Sequence, residues 1–389
     1  MLVFLCLLLS GCSNTALRQK TETSAVTETV TETQTETTTE PTTVDEIQSQ
    51  LDSMSLDEKI GQMLMPAYRY SGGSRFTVMN EAVESELAEY KIGNVILFDE
   101  NLASAESSKT LIADFKRLIT QNCGIEPFIS IDEEGGKVSR LGKSGILSDY
   151  YIPSARSMAN NGTVKENYTK IALNLKTLGF NMDFAPVADI DTNPANPIIG
   201  DRAFSSDPEE TAKFMLEAAK TLEDKGIIPV IKHFPGHGDT QTDSHLGIAV
   251  VTHDKTRLES VEFVPYRQAV ENNIPVVMVG HLTTPQLSNN ELPASLNPDI
   301  IKGILRDELG FDGVVITDAL DMGAAAKFYE NEETAVMAVK AGADILLMPP
   351  DAPAAFKAVK NAVENGEISR ENIDDSVYRI LKLKWRQQQ

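Results

Sequence analysis

Three of the chain's five histidines lie in one short stretch. It reads Lys232-His233-Phe234-Pro235-Gly236-His237-Gly238-Asp239-Thr240 and, after two residues, Asp243-Ser244-His245. A carboxylate two residues from an imidazole can fix its tautomer and raise its basicity, and histidine titrates near neutrality. Asp243 and His245 therefore suit a group that first donates a proton and later takes one; the alternative is a solvated polar loop. Lys232 and His233 are donors for substrate hydroxyls. If Lys232 continues a strand, alternation sends the two to opposite faces, unless the turn at Phe234-Pro235 brings both to one rim. His233 and His237 are four apart, but Pro235 and Gly236 break the helix that a zinc site of that spacing uses. No metal is expected.

Asp318 stands at the mouth of the apolar run Val314-Val315-Ile316-Thr317. A carboxylate there is costly unless it is hydrogen-bonded or used. It is a covalent nucleophile, a metal ligand or a helix N-cap; Asp321 is the better N-cap, which leaves Asp318 for chemistry. Ser130-Ile131-Asp132-Glu133-Glu134-Gly135-Gly136 puts an acid at another strand end, with Arg140 beyond the glycine turn. Gly200-Asp201-Arg202-Ala203-Phe204 adds a further arginine in a loop. Each alone is compatible with surface ion pairs. Together, two carboxylates and several cationic donors facing one mouth suit a polyhydroxylated ligand. No phosphate-cradling glycine loop or dinucleotide fingerprint occurs, and no cofactor is expected.

Eight short apolar runs are positioned to carry these residues: Gly61–Ala67, Ile92–Phe98, Pro127–Asp132, Asn181–Val187, Ile227–Lys232, Pro275–Gly280, Gly313–Thr317 and Asp344–Met348. Amphipathic stretches alternate with them, at Ser104–Gln121, Lys165–Leu178, Pro208–Lys225, Lys255–Asn272, Pro298–Glu308 and Glu332–Ala341. Strands followed by helices in this number predict an α/β fold, a closed (β/α)8 TIM-type barrel rather than an open doubly wound sheet. The polar residues decide between them. Asp132, Asp189, Lys232-His233, His281 and Asp318 end strand after strand, as a barrel rim requires, whereas an open sheet gathers such residues at one switch point.

The net charge of −22 argues against nucleic acid as a partner, since phosphate binding needs a basic face. Three cysteines exclude a disulfide framework, and Cys123 is expected to be a free thiol beside a strand. Residues 1–12 open with the apolar run Met1–Leu9, too short to span a bilayer and similar to a secretory h-region. It ends in Leu9-Ser10-Gly11-Cys12, which resembles a bacterial lipobox, although no Lys or Arg precedes Cys12. Residues 13–43 are dominated by Thr-Glu repeats with almost nothing apolar to bury, so disorder is expected. Such a tether reaches on the order of 30 Å as a coil and about 90 Å when extended. The expected arrangement is a folded domain over 44–389, held outside the cytoplasm by a lipid on Cys12 at the cell membrane.

From about Val44 onward the chain resembles family 3 glycoside hydrolases, in their β-N-acetylglucosaminidase branch. The likeness rests on Asp132-Glu133-Glu134-Gly135-Gly136 with Arg140, Gly200-Asp201-Arg202-Ala203-Phe204, Lys232 to Gly238 with Asp243-Ser244-His245, and Ile316-Thr317-Asp318. It implies a TIM-type barrel and a retaining mechanism. By motif position Asp318 is the nucleophile and His245, held by Asp243, the acid/base. Asp132, Arg140, Arg202, Lys232 and His233 grip the non-reducing N-acetylglucosamine. The substrate implied is peptidoglycan fragments or related glycans. The chain ends soon after its last helical pattern, about Asn372–Trp385, so the second domain of many members is not expected. An imidazole in place of the acid carboxyl repels an anion less than a second carboxylate does, which leaves phosphorolysis open beside hydrolysis. A β-glucosidase-like activity and a non-catalytic sugar-binding lipoprotein are the remaining alternatives.

Overall fold

Each of the eight expected runs holds a strand, the fifth of which continues past the expected Lys232 to Phe234. In chain order they are β1 (Leu64–Met65), β2 (Asn94–Ile96), β3 (Phe128–Ile131), β4 (Met182–Asp183), β5 (Ile228–Phe234), β6 (Val276–Val279), β7 (Val314–Thr317) and β8 (Leu346–Leu347). The computed structural model describes residues 43–240, 249–288, 290–322 and 331–388. Segments 1–12 and 13–42, with Cys12, lie outside them, as do Asp243 and His245.

The strands are buried on both faces, which explains their β-branched runs without polar alternation. Every neighbouring pair is parallel. Full ladders join β2 to β3, β3 to β4, β4 to β5, β5 to β6 and β6 to β7. Single bridges complete the circle on either side of β1 and β8, Ala67 to Ile96 and Ile316 to Ile345. β1 then pairs with β8, Leu64 opposite Leu346 and Met65 opposite Leu347. The ring is shut, so no strand edge is left open.

Helices surround the ring, among them Ala105–Cys123, Val164–Leu178, Pro208–Asp224 and Asn331–Ala341. Their starts carry local signals. Asp207 accepts from the Glu209 and Glu210 N–H groups, with Pro208 in the first turn. Two expectations shift for similar reasons. Ser55 and Glu58 form a capping box that makes Leu56–Gln62 helical, so β1 begins after the expected Gly61. The stretch Lys255–Asn272 divides into Lys255–Ser260 and Val264–Glu271, the second with Pro265 in its first turn. The last helix, Arg370–Gln388, packs on the first, Thr43–Ser53. Cys123 is a free thiol and donates to the Lys91 carbonyl just ahead of β2.

Candidate active site

Asp132, Glu133 and Glu134 follow β3 directly, and strand alternation divides their roles. Asp132 and Glu134 point one way, toward β5; Glu133 points the other, into the adjoining hairpin. Lys232 Nζ, almost fully buried, lies 2.7 Å from Asp132 Oδ1 and 2.7 Å from Glu134 Oε1. Glu134 also receives both arms of Arg202, Nε at 2.8 Å and an Nη at 2.7 Å. Arg140 reaches the second oxygen of Asp132 at 3.4 Å. The knot thus contains three cations and two carboxylates. Burial alone would raise both acids, but Lys232 and Arg140 hold Asp132 below its ordinary range. Arg202 and Lys232 hold Glu134 well below its own. Both carboxylates are anionic at any working pH. Each carboxylate oxygen has lone pairs beyond its ion pair, so the knot can take hydroxyl hydrogens while its cations donate to hydroxyl oxygens.

Glu133 occupies a different environment. Burial pushes it up to about 7, against hydrogen bonds from Ser139 Oγ (2.5 Å), the Leu141 N–H (2.8 Å) and the Tyr150 hydroxyl (3.2 Å). These bonds tie down the hairpin whose end carries Arg140.

The end of β5 is held from below. Asp189 Oδ2 lies 2.6 Å from His233 Nδ1, and its Oδ1 accepts the His237 N–H at 2.6 Å. Burial would raise Asp189, yet His233 and His237 keep it below its ordinary value. An anionic Asp189 places the shared proton on Nδ1 of His233 and leaves Nε2 for a ligand. Burial, reinforced by His233, lowers His237, so that ring is neutral near pH 7. The loop beyond is sharply bent. Gly238 passes so close to Ile190 that a Cβ there would sit 1.7 Å from its carbonyl oxygen. The Lys232–His233 and Phe234–Pro235 peptides are both cis, and Lys232 and His233 share one rim rather than alternating.

Asp318 comes immediately after β7. Its N–H donates to the Val279 carbonyl at 2.8 Å, and its Oδ1 accepts the Ala319 N–H at 2.8 Å. A cavity of about 460 Å³ opens at this end of the barrel. Asp132, Arg140, Arg202, Lys232, His233 and Asp318 all line it. Six residues read from four separate motifs therefore meet in one space. Phe98, Phe184, Met278 and Met348 give it apolar walls. Asp189 and His281, also expected at strand ends, lie behind the rim as supports. The helix that Asp321 was expected to cap would run into residues 323–330, outside the described residues.

Some participants carried no advance signal. Arg69, from the loop after β1, lines the cavity, pairs with Glu100 and lies 4.6 Å from the ring centre of Phe98. Arg140 lies 4.9 Å from the same ring, so one aromatic side chain supports two guanidinium groups. Glu134 stands in a quoted motif, but its role as partner of both Lys232 and Arg202 needs the fold.

Residues 55–383 match the glycosyl hydrolase family 3 N-terminal domain. The chain belongs to glycoside hydrolase family 3. It is 33% identical over 348 residues to β-hexosaminidase LpqI of Mycobacterium tuberculosis, with 85% of this chain and 83% of that protein covered. It is 30% identical over 374 residues to β-hexosaminidase A of Pseudoalteromonas piscicida, covering 85% of this chain and 61% of that one. Among solved structures, a family 3 β-N-acetylglucosaminidase from Paenibacillus superposes with a TM-score of 0.81 at 37% identity, over 86% of this chain and 63% of that one. The chain thus spans about three-fifths of two of these relatives and most of the mycobacterial one.

Proposed function

We propose that this family 3 chain is a retaining exo-β-N-acetylglucosaminidase that removes terminal β-linked N-acetylglucosamine from peptidoglycan fragments or related glycans. The observation that carries this reading is the shared cavity: an ion knot suited to sugar hydroxyls on the β3–β5 side, and on the β7 side the carboxylate of Asp318 at the strand end, with Asp321 beyond it. A sugar gripped by Asp132, Arg140, Arg202, Lys232 and His233 presents its anomeric carbon toward β7. Asp318 attacks that carbon, the bond to the leaving oxygen breaks, and His245, oriented by Asp243, gives that oxygen its proton. Water then releases the sugar, handing its proton back to His245, with two inversions and net retention. The choice of N-acetylglucosamine over other sugars is supported by the hexosaminidase and N-acetylglucosaminidase names of the relatives.

Two experiments test this. An aryl N-acetyl-β-glucosaminide should be cleaved, by far in preference to an aryl β-glucoside, with retained configuration at C1. Equal rates on both substrates would move the activity to the β-glucosidase class, and no cleavage of either would favour a binding protein. His245→Ala should slow natural glycans far more than activated aryl glycosides; equal slowing would deny it the acid role. In the same reading, the Leu9–Cys12 tetrapeptide directs lipid attachment at Cys12, outside the cytoplasm. Labelling with a radioactive fatty acid should mark the wild type and fail for Cys12→Ser.

A further inference from the structure

His281, just past β6, is 1% exposed and lies behind the cavity wall. Both of its ring nitrogens are engaged. Nδ1 lies 2.6 Å from Ser295 Oγ and Nε2 lies 2.8 Å from the Ala319 carbonyl oxygen. A carbonyl only accepts, so Nε2 carries the hydrogen. Ser295, itself fully buried in the turn Ala294–Leu296, selects that tautomer from the other side. The Ala319 carbonyl belongs to the peptide unit whose N–H, on Leu320, donates to the Leu347 carbonyl at 2.9 Å. This unit is therefore clamped at both ends, by His281 from the β6 side and by the end of β8. The Ala319 N–H that donates to Asp318 Oδ1 lies in the preceding peptide plane, joined to the clamped one at the Ala319 Cα.

We propose that His281 is a positioning residue for Asp318: by holding the Ala319 carbonyl it sets the direction of the Ala319 N–H, and with it the aim of the attacking carboxylate. This rests on the glycosidase reading above. A leucine at this position would fill the space but leave the Ala319 carbonyl buried without its donor, and that carbonyl would turn to find another. A shift near 1 Å at a reacting atom costs about 10²-fold in rate. Asp132, Arg140, Arg202 and Lys232 are held by the ion knot on the β3 to β5 side, and His233, which packs beside Gly280, is held by Asp189, so the grip on the sugar stays in place.

The test compares His281→Leu, His281→Gln and Ser295→Ala with the wild type, using an aryl N-acetyl-β-glucosaminide and a fluorinated glycosyl inactivator. In His281→Leu, kcat and the first-order labelling rate should both fall by about 10- to 100-fold, while KM and the inactivator's binding constant stay within about twofold. His281→Gln, whose amide N–H can replace Nε2, should recover most of the loss, and Ser295→Ala should fall between. Thermal melts establish that each variant is folded. A folded His281→Leu with wild-type kcat and labelling rate overturns the proposal. So does a fall in kcat matched by an equal rise in KM. If His281→Leu does not fold, Ser295→Ala decides, and an unchanged rate constant there is equally fatal. A wild type that neither turns over nor becomes labelled sinks the glycosidase reading and this role together. An active wild type with an unchanged variant sinks this role alone.

Discussion

At the N-terminal end of the barrel, Asp344 is fully buried between Arg306 at 2.7 Å and Arg379 at 3.0 Å, and it also accepts the Val315 N–H at 2.8 Å. Lys384, nearby on the last helix, donates to Gln62 at 2.7 Å and to the Gly93 carbonyl at 3.0 Å. At the C-terminal mouth, Asp132 and Glu134 are just as firmly paired, but their cations face a cavity. The first set of charges ties strands β7 and β8 to the helices around them, and its Arg379 borders a smaller opening of about 240 Å³. The second is ion-paired and still has hydrogen-bonding capacity directed at a ligand. Buried ion pairs alone therefore do not mark an active site. What distinguishes the mouth is an ion network bordering a cavity that strand β7 also enters, through Asp318.

Removing one group from each end should separate the two roles. Asp318→Ala should cut turnover by about 10⁴-fold or more, with an unchanged melting temperature, because the turn is held by backbone groups. Asp344→Ala should do the reverse. It leaves two partly buried guanidinium groups without their shared partner and should cost about 2–3 kcal/mol in urea denaturation, while the folded fraction keeps its kcat. A smaller effect is expected from Arg202→Lys, which loses the two-armed contact to Glu134. KM should rise about tenfold with kcat changed less, as read from initial rates.

The smallest effects concern pH and have opposite signs at the two ends. Burial raises Glu133, near the mouth, from 4.5 to about 7. Between those values the folded state keeps a proton that the unfolded chain has released, so this group's stabilisation is present at low pH and is lost as pH rises to 7. Burial lowers Lys384 from 10.5 to about 7. There the unfolded chain holds the extra proton, so stability rises from pH 7 upward and is lost as pH falls through 7. Each slope is at most about 1.4 kcal/mol per pH unit. Glu133→Gln should flatten the acid-side dependence and Lys384→Met the alkaline one, measured as urea midpoints against pH. A pH dependence left intact by either variant would assign it to other groups.

The barrel was legible because its strands are buried on both faces, so Val314-Val315-Ile316 and Val276-Val277-Met278 read as unbroken apolar runs. The capping box at Ser55 and Glu58 was equally written in the chain, and it places Gly61 in a helix. The six cavity residues were legible as motifs, each at a strand end or in the loop beyond. Partnerships were not. That Glu134 serves Lys232 and Arg202 while Glu133 turns away follows from alternation after β3, but only once the position of β5 is known. Arg69 and His281 act through neighbours 14 to 38 residues away, and no local pattern announces such contacts. Asp243 and His245 lie outside the described residues, and their roles are those the family resemblance implies.

The most direct test is covalent. The protein, incubated with a fluorinated N-acetylglucosaminyl donor and digested, should yield one labelled peptide, with the sugar on Asp318. A label on another residue, or a product released with inverted configuration at C1, would contradict the assignment of Asp318 as the nucleophile.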